Sequence, residues 1–220
     1  MYFTSTVCSL QASGGVKILP SLGQHQHHPH SFKLTSPQSL TFPIILPDNF
    51  TEKFFTIQSV VKYRKSDNTY KKRVYSYRAN VTENEADVFK GADCGVIFKN
   101  IVNTMLELFF NHGNNLKQME SIALGLLKPI FFSYRYHISR NPNRFANLVM
   151  PKSLQMLPKY VLGILKSTAF NPGISFDERS VQMVQLGQKY PEELFQVGYP
   201  SLFEMTNYLQ NVPNCNAVDE

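Results

Sequence analysis

The chain has little with which to staple or anchor itself. Of its 220 residues only three are cysteines, Cys8, Cys94 and Cys215. They are far apart and odd in number, which argues against a disulfide framework and a structural zinc site and points to a reducing compartment. No uninterrupted apolar run reaches the roughly 18 residues that suggest a membrane span. Lys128, Lys159 and Lys166 break the longest candidates. Residues 1–10 lack a basic flank and are rich in Ser and Thr, so they do not read as a signal peptide. Catalytic signatures are missing as well: no nucleophile elbow, no phosphate-cradling Gly loop, no metal-spaced His-Glu pair. Asp177 and Glu178 are adjacent carboxylates, but a helix-capping box explains them. No enzyme is expected, and no catalytic, cofactor-binding or metal-ligating residue is assigned.

What is present suits a globular chain of one or two domains with a real core. The net charge is +6, and it is uneven. Lys62, Arg64, Lys65, Lys71, Lys72, Arg73 and Arg78 cluster against a single acid, Asp67. After Ser175 the balance tips acidic. A basic patch implies an anionic partner, either lipid headgroups, nucleic acid or an acidic protein surface, or else the wet face of a hairpin. A second local bias is Gln24-His25-Gln26-His27-His28-Pro29-His30. Imidazoles this close can ligate a transition metal, but no regular element is expected to fix them, so the stretch reads as a low-complexity insertion.

The period of the apolar residues divides the chain. Residues 1–18 suggest a strand and a turn at Gly14-Gly15, and residues 19–39 a loop. Residues 39–42 suggest a short strand limited by Pro43 and Pro47. Residues 54–63 alternate strongly, with Phe55, Ile57, Val61 and Tyr63 on one face. Ser66-Asp67-Asn68-Thr69 is a turn, and residues 70–77 return. This hairpin needs a larger sheet. Beyond Arg78 the period becomes about 3.6. A short helix over 83–90, capped by Asn80 or Thr82, is followed by one over 93–110 with Ile97, Ile101, Val102, Met105, Leu108 and Phe109 as its stripe. A helix over 116–139, kinked at Pro129, comes next, then a loop at Arg140-Asn141-Pro142-Asn143. The stretch 150–170 reads as the architectural centre. Ser153 to Met156 makes one turn, and Leu157, Val161, Leu162 and Leu165 form the apolar side of a helix that Pro158 opens. Ser175 and Glu178 cap a helix to about Lys189. Residues 191–195 form a last helical turn, Val197-Gly198-Tyr199-Pro200 a non-helical exit, and a disordered tail follows from Gln210.

This order of elements, with its local motifs, resembles the cargo-adaptor subunit of the inner COPII vesicle coat, in the Sec23/Sec24 superfamily. The hairpin over 54–78 looks like the end of that family's β-sandwich. Ala86-Asp87-Val88-Phe89 with Gly91-Ala92-Asp93 looks like its strand-to-helix junction. Met150-Pro151-Lys152-Ser153-Leu154-Gln155-Met156-Leu157-Pro158 is similar to its most typical helical segment. Asp177-Glu178-Arg179 matches a helix start, and Tyr199-Pro200 the end of the helical domain. The resemblance covers about residues 40–205; likeness to the paralogous, GTPase-activating coat subunit is weaker around 154–165.

The resemblance implies an α+β chain: a partial antiparallel β-sandwich with a His-rich insertion over 1–80, an all-α helical domain over 81–205, and a tail over 206–220. The family's zinc module, trunk and gelsolin-like domain are not found here, so the chain looks like a piece of a longer protein or a truncated gene product, and no cofactor is expected. The implied role is non-enzymatic: transport from the endoplasmic reticulum to the Golgi, with the paralogous subunit and transmembrane cargo as partners. The implied location is cytoplasmic, peripheral on the endoplasmic reticulum membrane and on vesicles. Lys62, Arg64, Lys65, Lys71, Lys72 and Arg73 are the candidates for a basic face against anionic lipid. The alternative is a nucleic-acid module built on Tyr63, Tyr70, Tyr75 and Tyr77 beside those cations. It is disfavoured, because some of these rings are expected to face the sandwich core.

Overall fold

A computed structural model describes residues 6–23, 27–33, 39–65, 67–113, 115–139 and 150–199. Gln24, His25, Gln26, Ser66, residues 140–149 with the loop expected at Arg140-Asn141-Pro142-Asn143, Pro200, Cys215 and the tail expected from Gln210 lie outside them. The chain is α+β. Strands β1 (Thr6–Ala12), β2 (Lys17–Ile18), β3 (Phe32–Lys33), β4 (Ile44–Ile45), β5 (Phe54–Arg64) and β6 (Tyr70–Asn80) come first. Helices α1 (Glu85–Gly91), α2 (Cys94–His112), α3 (Leu116–Ser133), α4 (Leu157–Leu165), α5 (Phe176–Gln188) and α6 (Pro191–Gly198) follow.

One antiparallel sheet has the order β3-β1-β5-β6, and β2 and β4 form a second, two-stranded sheet. Gly14 and Gly15 turn the chain between β1 and β2 at positive φ, where glycine carries no Cβ penalty. Two expectations are corrected here. The His-rich stretch is not all loop, because Phe32 pairs with Cys8 across β3 and β1. The short strand lies at Ile44–Ile45, leaving Thr41 a single bridge to Leu22. β1 lies between β5 and β3, where Cys8 pairs with Val61 on one side and Phe32 on the other, and Cys8, Phe32, Phe55 and Tyr63 are buried on that one face of the sheet.

α2, not α4, is the element on which the helices gather: α3, α4, α5 and α6 all contact it. Asp93 caps it, accepting from the Gly95 and Val96 amides, and Gly113 ends it at positive φ. Its buried side includes Phe98 and Leu106 besides the expected Ile101, Val102, Met105 and Phe109, while Ile97 and Leu108 are only half-buried. The α1 cap is Asn84, its side chain accepting from the Ala86 amide while the Thr82 hydroxyl accepts from the Asn84 amide. α3 runs through Pro129, then widens to a π turn over Tyr134–Ser139, short of the full α-helix expected. α6 continues to Gly198, past the expected exit, because nothing breaks it before Tyr199.

The face of α4 differs from the expected one. Leu157, Val161 and Ile164 are buried, Leu165 is half-buried and Leu162 is 53 % exposed. The cause is the approach of α6: a Cβ on Gly163 would fall onto the carbonyl of Gly198. That contact turns the Tyr160–Gly163–Ile164 side inward. At 100° per residue Leu162 then lies almost opposite Ile164.

Two cations are buried among the helices. Lys99 Nζ donates to the Gly187 carbonyl at 2.7 Å, at the C-terminal end of α5 where the dipole favours a cation. Burial pushes the Lys99 amine down to about 8, with Glu193 opposing. Arg179 donates from Nε to the Ala169 carbonyl at 3.1 Å and from Nη2 to the Asn171 carbonyl at 2.6 Å, tying the 169–174 loop to α5.

Candidate functional site

The basic hairpin is built from two eleven-residue strands rich in aromatic and β-branched residues. Its turn is held by Asp67. The carboxylate accepts from the Thr69 amide at 2.9 Å and the Thr69 hydroxyl at 2.6 Å, while Asn68 takes a φ of 64°. Those two hydrogen bonds, then Lys65 and Lys71, hold the Asp67 carboxyl below its ordinary range. The acid in the patch is therefore fixed and ionised at the tip.

The register decides which cations act together, because directly paired residues share a face. Lys62 pairs with Lys72, Arg64 with Tyr70 and Thr56 with Arg78. Lys71 instead pairs with Tyr63, and Arg73 with Val61. Tyr63 and Phe55 are buried on the side that carries Cys8 and Phe32, so that side is the core face. The six candidates thus do not form one surface. Lys62, Arg64 and Lys72 lie on the wet face. Lys71 and Arg73 lie on the core face, exposed because β6 is the sheet's edge strand. Lys65 is half-buried at the turn. Alternation at period two makes this division unavoidable.

The wet face recruits two cations beyond the six candidates: Lys33, and Arg78, which belongs to the basic cluster in the sequence. Val7 pairs with Lys33 on one side and Lys62 on the other, so Lys33, Val7, Lys62 and Lys72 form one row across the sheet. Arg78 lies lower on the same face, its guanidinium 3.6 Å from the centre of the Phe54 ring. Gln58 Nε2 donates to Ser76 Oγ at 3.2 Å between the two ends. None of the four strands contains a carboxylate. Counting by twos from Lys62 finds Arg64, but Lys33 was hidden inside a stretch read as loop.

The tyrosines are also divided. Tyr63 is buried, with the Arg73 guanidinium 5.8 Å from its ring centre. Tyr70 lies on the wet face, 5.8 Å from the Arg64 guanidinium. Tyr75 and Tyr77 lie on the core face but are exposed at the edge, Tyr77 by 69 %.

The other candidates are placed as follows. His27 lies against Phe32 and His28 against His30, ring to ring. Among the described residues no three His, Cys, Asp or Glu side chains converge as a metal set. Glu178 and Ser175 form the capping box in full, so that carboxylate is committed to the α5 N-terminus. Among the described residues no helix is long and apolar enough to cross a membrane.

Residues 93–196 match the family model described as the Sec23/Sec24 helical domain. The human "Protein transport protein Sec24A" is 24% identical over 206 residues, which are 87% of this chain and 18% of that protein. The "Protein transport protein SEC24" of Dictyostelium discoideum is 22% identical over 147 residues, 63% of this chain and 14% of that one. The chain therefore spans less than a fifth of the length of these relatives. A solved structure, "Crystal structure of the human COPII-coat protein Sec24c", superposes with a TM-score of 0.74 at 15% identity, over 88% of this chain and 25% of that one. At that identity the likeness is one of fold, and it extends beyond the helices to most of the sheet.

Proposed function

Residues 93–196 belong to the Sec23/Sec24 helical-domain family, and from that premise we propose that the chain is a non-enzymatic component of a COPII-type vesicle coat. In this reading it works in the cytoplasm, peripheral on the endoplasmic reticulum membrane and on vesicles bound for the Golgi. Its partners are the paralogous coat subunit and the transmembrane cargo being packaged. The helices are the scaffold, and the sheet is the surface that meets anionic lipid.

The wet face of the sheet supports this reading most. Lys33, Lys62, Arg64, Lys72 and Arg78 share it with no carboxylate among the paired strands. Each Lys or Arg near an anionic bilayer contributes about 1 kcal/mol, and the effect decays within a Debye length. Five such side chains attach a protein weakly and reversibly. Stable residence requires other coat subunits.

The test is sedimentation with vesicles of phosphatidylcholine, with and without phosphatidylserine, at low and high salt. Binding should need phosphatidylserine, fall with salt and be lost in Lys62→Glu/Lys72→Glu. Binding that ignores salt overturns the electrostatic contact. The exposed Tyr70, Tyr75 and Tyr77 favour a second reading, in which single-stranded nucleic acid stacks at the edge of β6. A gel shift at physiological salt separates the two.

A further inference from the structure

Away from the sheet, an unexplained surface lies where α3 begins and α4 ends. The exposed Leu162, with Leu165 and Phe170, floors a concavity of about 410 Å³ whose rim carries Lys117, Lys166 and Glu120. A second, more open concavity of about 550 Å³ is bounded by His112, Asn115, Lys117 and Arg179. The two share Leu116, Lys117 and Pro172 and so run together as one trough. One end has an apolar floor under a charged rim, and the other carries Lys117 and Arg179 without an acid.

The basic end is rigid. Arg179 is only 3 % exposed, and its Nε and Nη2 are spent on the loop carbonyls. Its Nη1 makes no hydrogen bond among the described residues, and the residue lines the trough. The first turn of α3, at the same end, has no acidic side chain, so its dipole is not offset there. Lys117, Lys166 and Arg179 face a single carboxylate, Glu120.

We infer that this trough is a docking site for a short peptide of a partner protein, with apolar side chains over Leu162 and Phe170 and carboxylates at the Lys117–Arg179 end. The apolar floor supplies contact area, and the fixed charge at one end sets the direction of the chain. A flat bilayer does not fill the concavity over Leu165 and Phe170, and a lone oxoanion leaves that apolar end empty. The inference goes beyond the coat reading and does not depend on it.

The experiment is fluorescence polarisation with the full chain and a labelled peptide of two leucines followed by two glutamates. The comparison peptide has lysines in place of the glutamates. Lys117→Glu/Lys166→Glu and Leu162→Ser alter exposed side chains, so their folding is checked by circular dichroism; Arg179, being structural, is left intact. The acidic peptide should bind about ten-fold or more tightly than the basic one. Both variants should weaken it, and Lys62→Glu/Lys72→Glu should not. Equal binding of the two peptides, or indifference to the Lys117/Lys166 reversal, overturns the proposal. So does full displacement by inorganic phosphate with Leu162→Ser silent, which marks a small-anion site. Loss of self-association in Leu162→Ser, read by sedimentation velocity, marks a second copy as the occupant and overturns it equally. Vesicle binding lost in Lys117→Glu/Lys166→Glu without any peptide binding does the same.

Discussion

The helices and the sheet of this chain bury their apolar side chains in different ways. The helices share one continuous cluster that runs from Phe98 in α2 to Leu194 in α6. The sheet buries a few side chains, Cys8, Phe32, Phe55 and Tyr63, along one face of β1, β3 and β5. Its edge strand β6 buries none of its residues and is held mainly by its ladder to β5. Helical stability comes from packing, so the helices have little freedom in sequence at their contact positions. A strand held by backbone bonds leaves its side chains free for display. That difference suits a scaffold joined to a binding surface.

The largest effect should come from testing packing directly. Phe98 is fully buried, with the Phe195 ring stacked at 5.8 Å and Tyr160 at 5.7 Å. Phe98→Ala should cost about 3–5 kcal/mol in a urea melt followed by helical circular dichroism. Phe55 in the sheet meets one aromatic neighbour, Phe50, edge-on at 6.3 Å. Phe55→Ala should sit at the low end of the same range, about 3 kcal/mol or less. Equal losses would break the contrast between a deep core and a shallow one.

The second effect sharpens the contrast through pH. Lys99 is the charge that the helical core tolerates, and burial holds its amine at about 8 in the folded chain. An unfolded lysine titrates near 10.4. Between those values the unfolded chain binds more protons, so stability rises with pH from about 8. The gain is bounded at about 3 kcal/mol. The Cys8 and Cys94 thiols, pushed up by burial, act in the opposite sense at higher pH. Comparison with Lys99→Met cancels their contribution. Stability of the natural chain measured from pH 7.5 to pH 9 should climb relative to Lys99→Met, and parallel curves would show Lys99 to be hydrated.

A smaller effect comes from a local device. Ser175 Oγ accepts from the Glu178 amide at 3.2 Å, and Glu178 Oε2 accepts from the Ser175 amide at 3.2 Å. Ser175→Ala should cost about 1 kcal/mol in thermal melts. This capping box was legible in the sequence because it depends only on residues three apart. So were α2, α5 and the hairpin, whose periods of 3.6 and two are strong. The apolar residues of β3 and the wet position of Lys33 were not, since a two-residue strand has no period and is fixed by its partner β1. The division of the six cations between two faces was implicit in their alternation, but which face is wet depends on what β1 buries. The hub role of α2 was hidden for the same reason: it is set by the helices that surround it.

The smallest expected effect is at Leu162 in α4, and it is measured against its buried neighbour Ile164. Periodicity within α4 admits two stripes, one through Val161, Leu162 and Leu165 and one through Leu157, Val161 and Ile164. Nothing local chooses between them. The choice is made by Gly163, which lets the Gly198 carbonyl approach so closely that any side chain there is excluded. Ile164→Ala should therefore cost about 2–5 kcal/mol, and Leu162→Ala, at an exposed position, about 0.5 kcal/mol or less. Urea melts of the pair measure the ratio. Gly163→Ala should destabilise the chain in the same melts and narrow the difference between the stripes, because it displaces α6 while leaving the apolar composition of α4 unchanged. A Leu162→Ala cost equal to that of Ile164→Ala would turn the helix back to the other stripe. It would also close the floor of the trough, since the leucine that makes it apolar would then belong to the core.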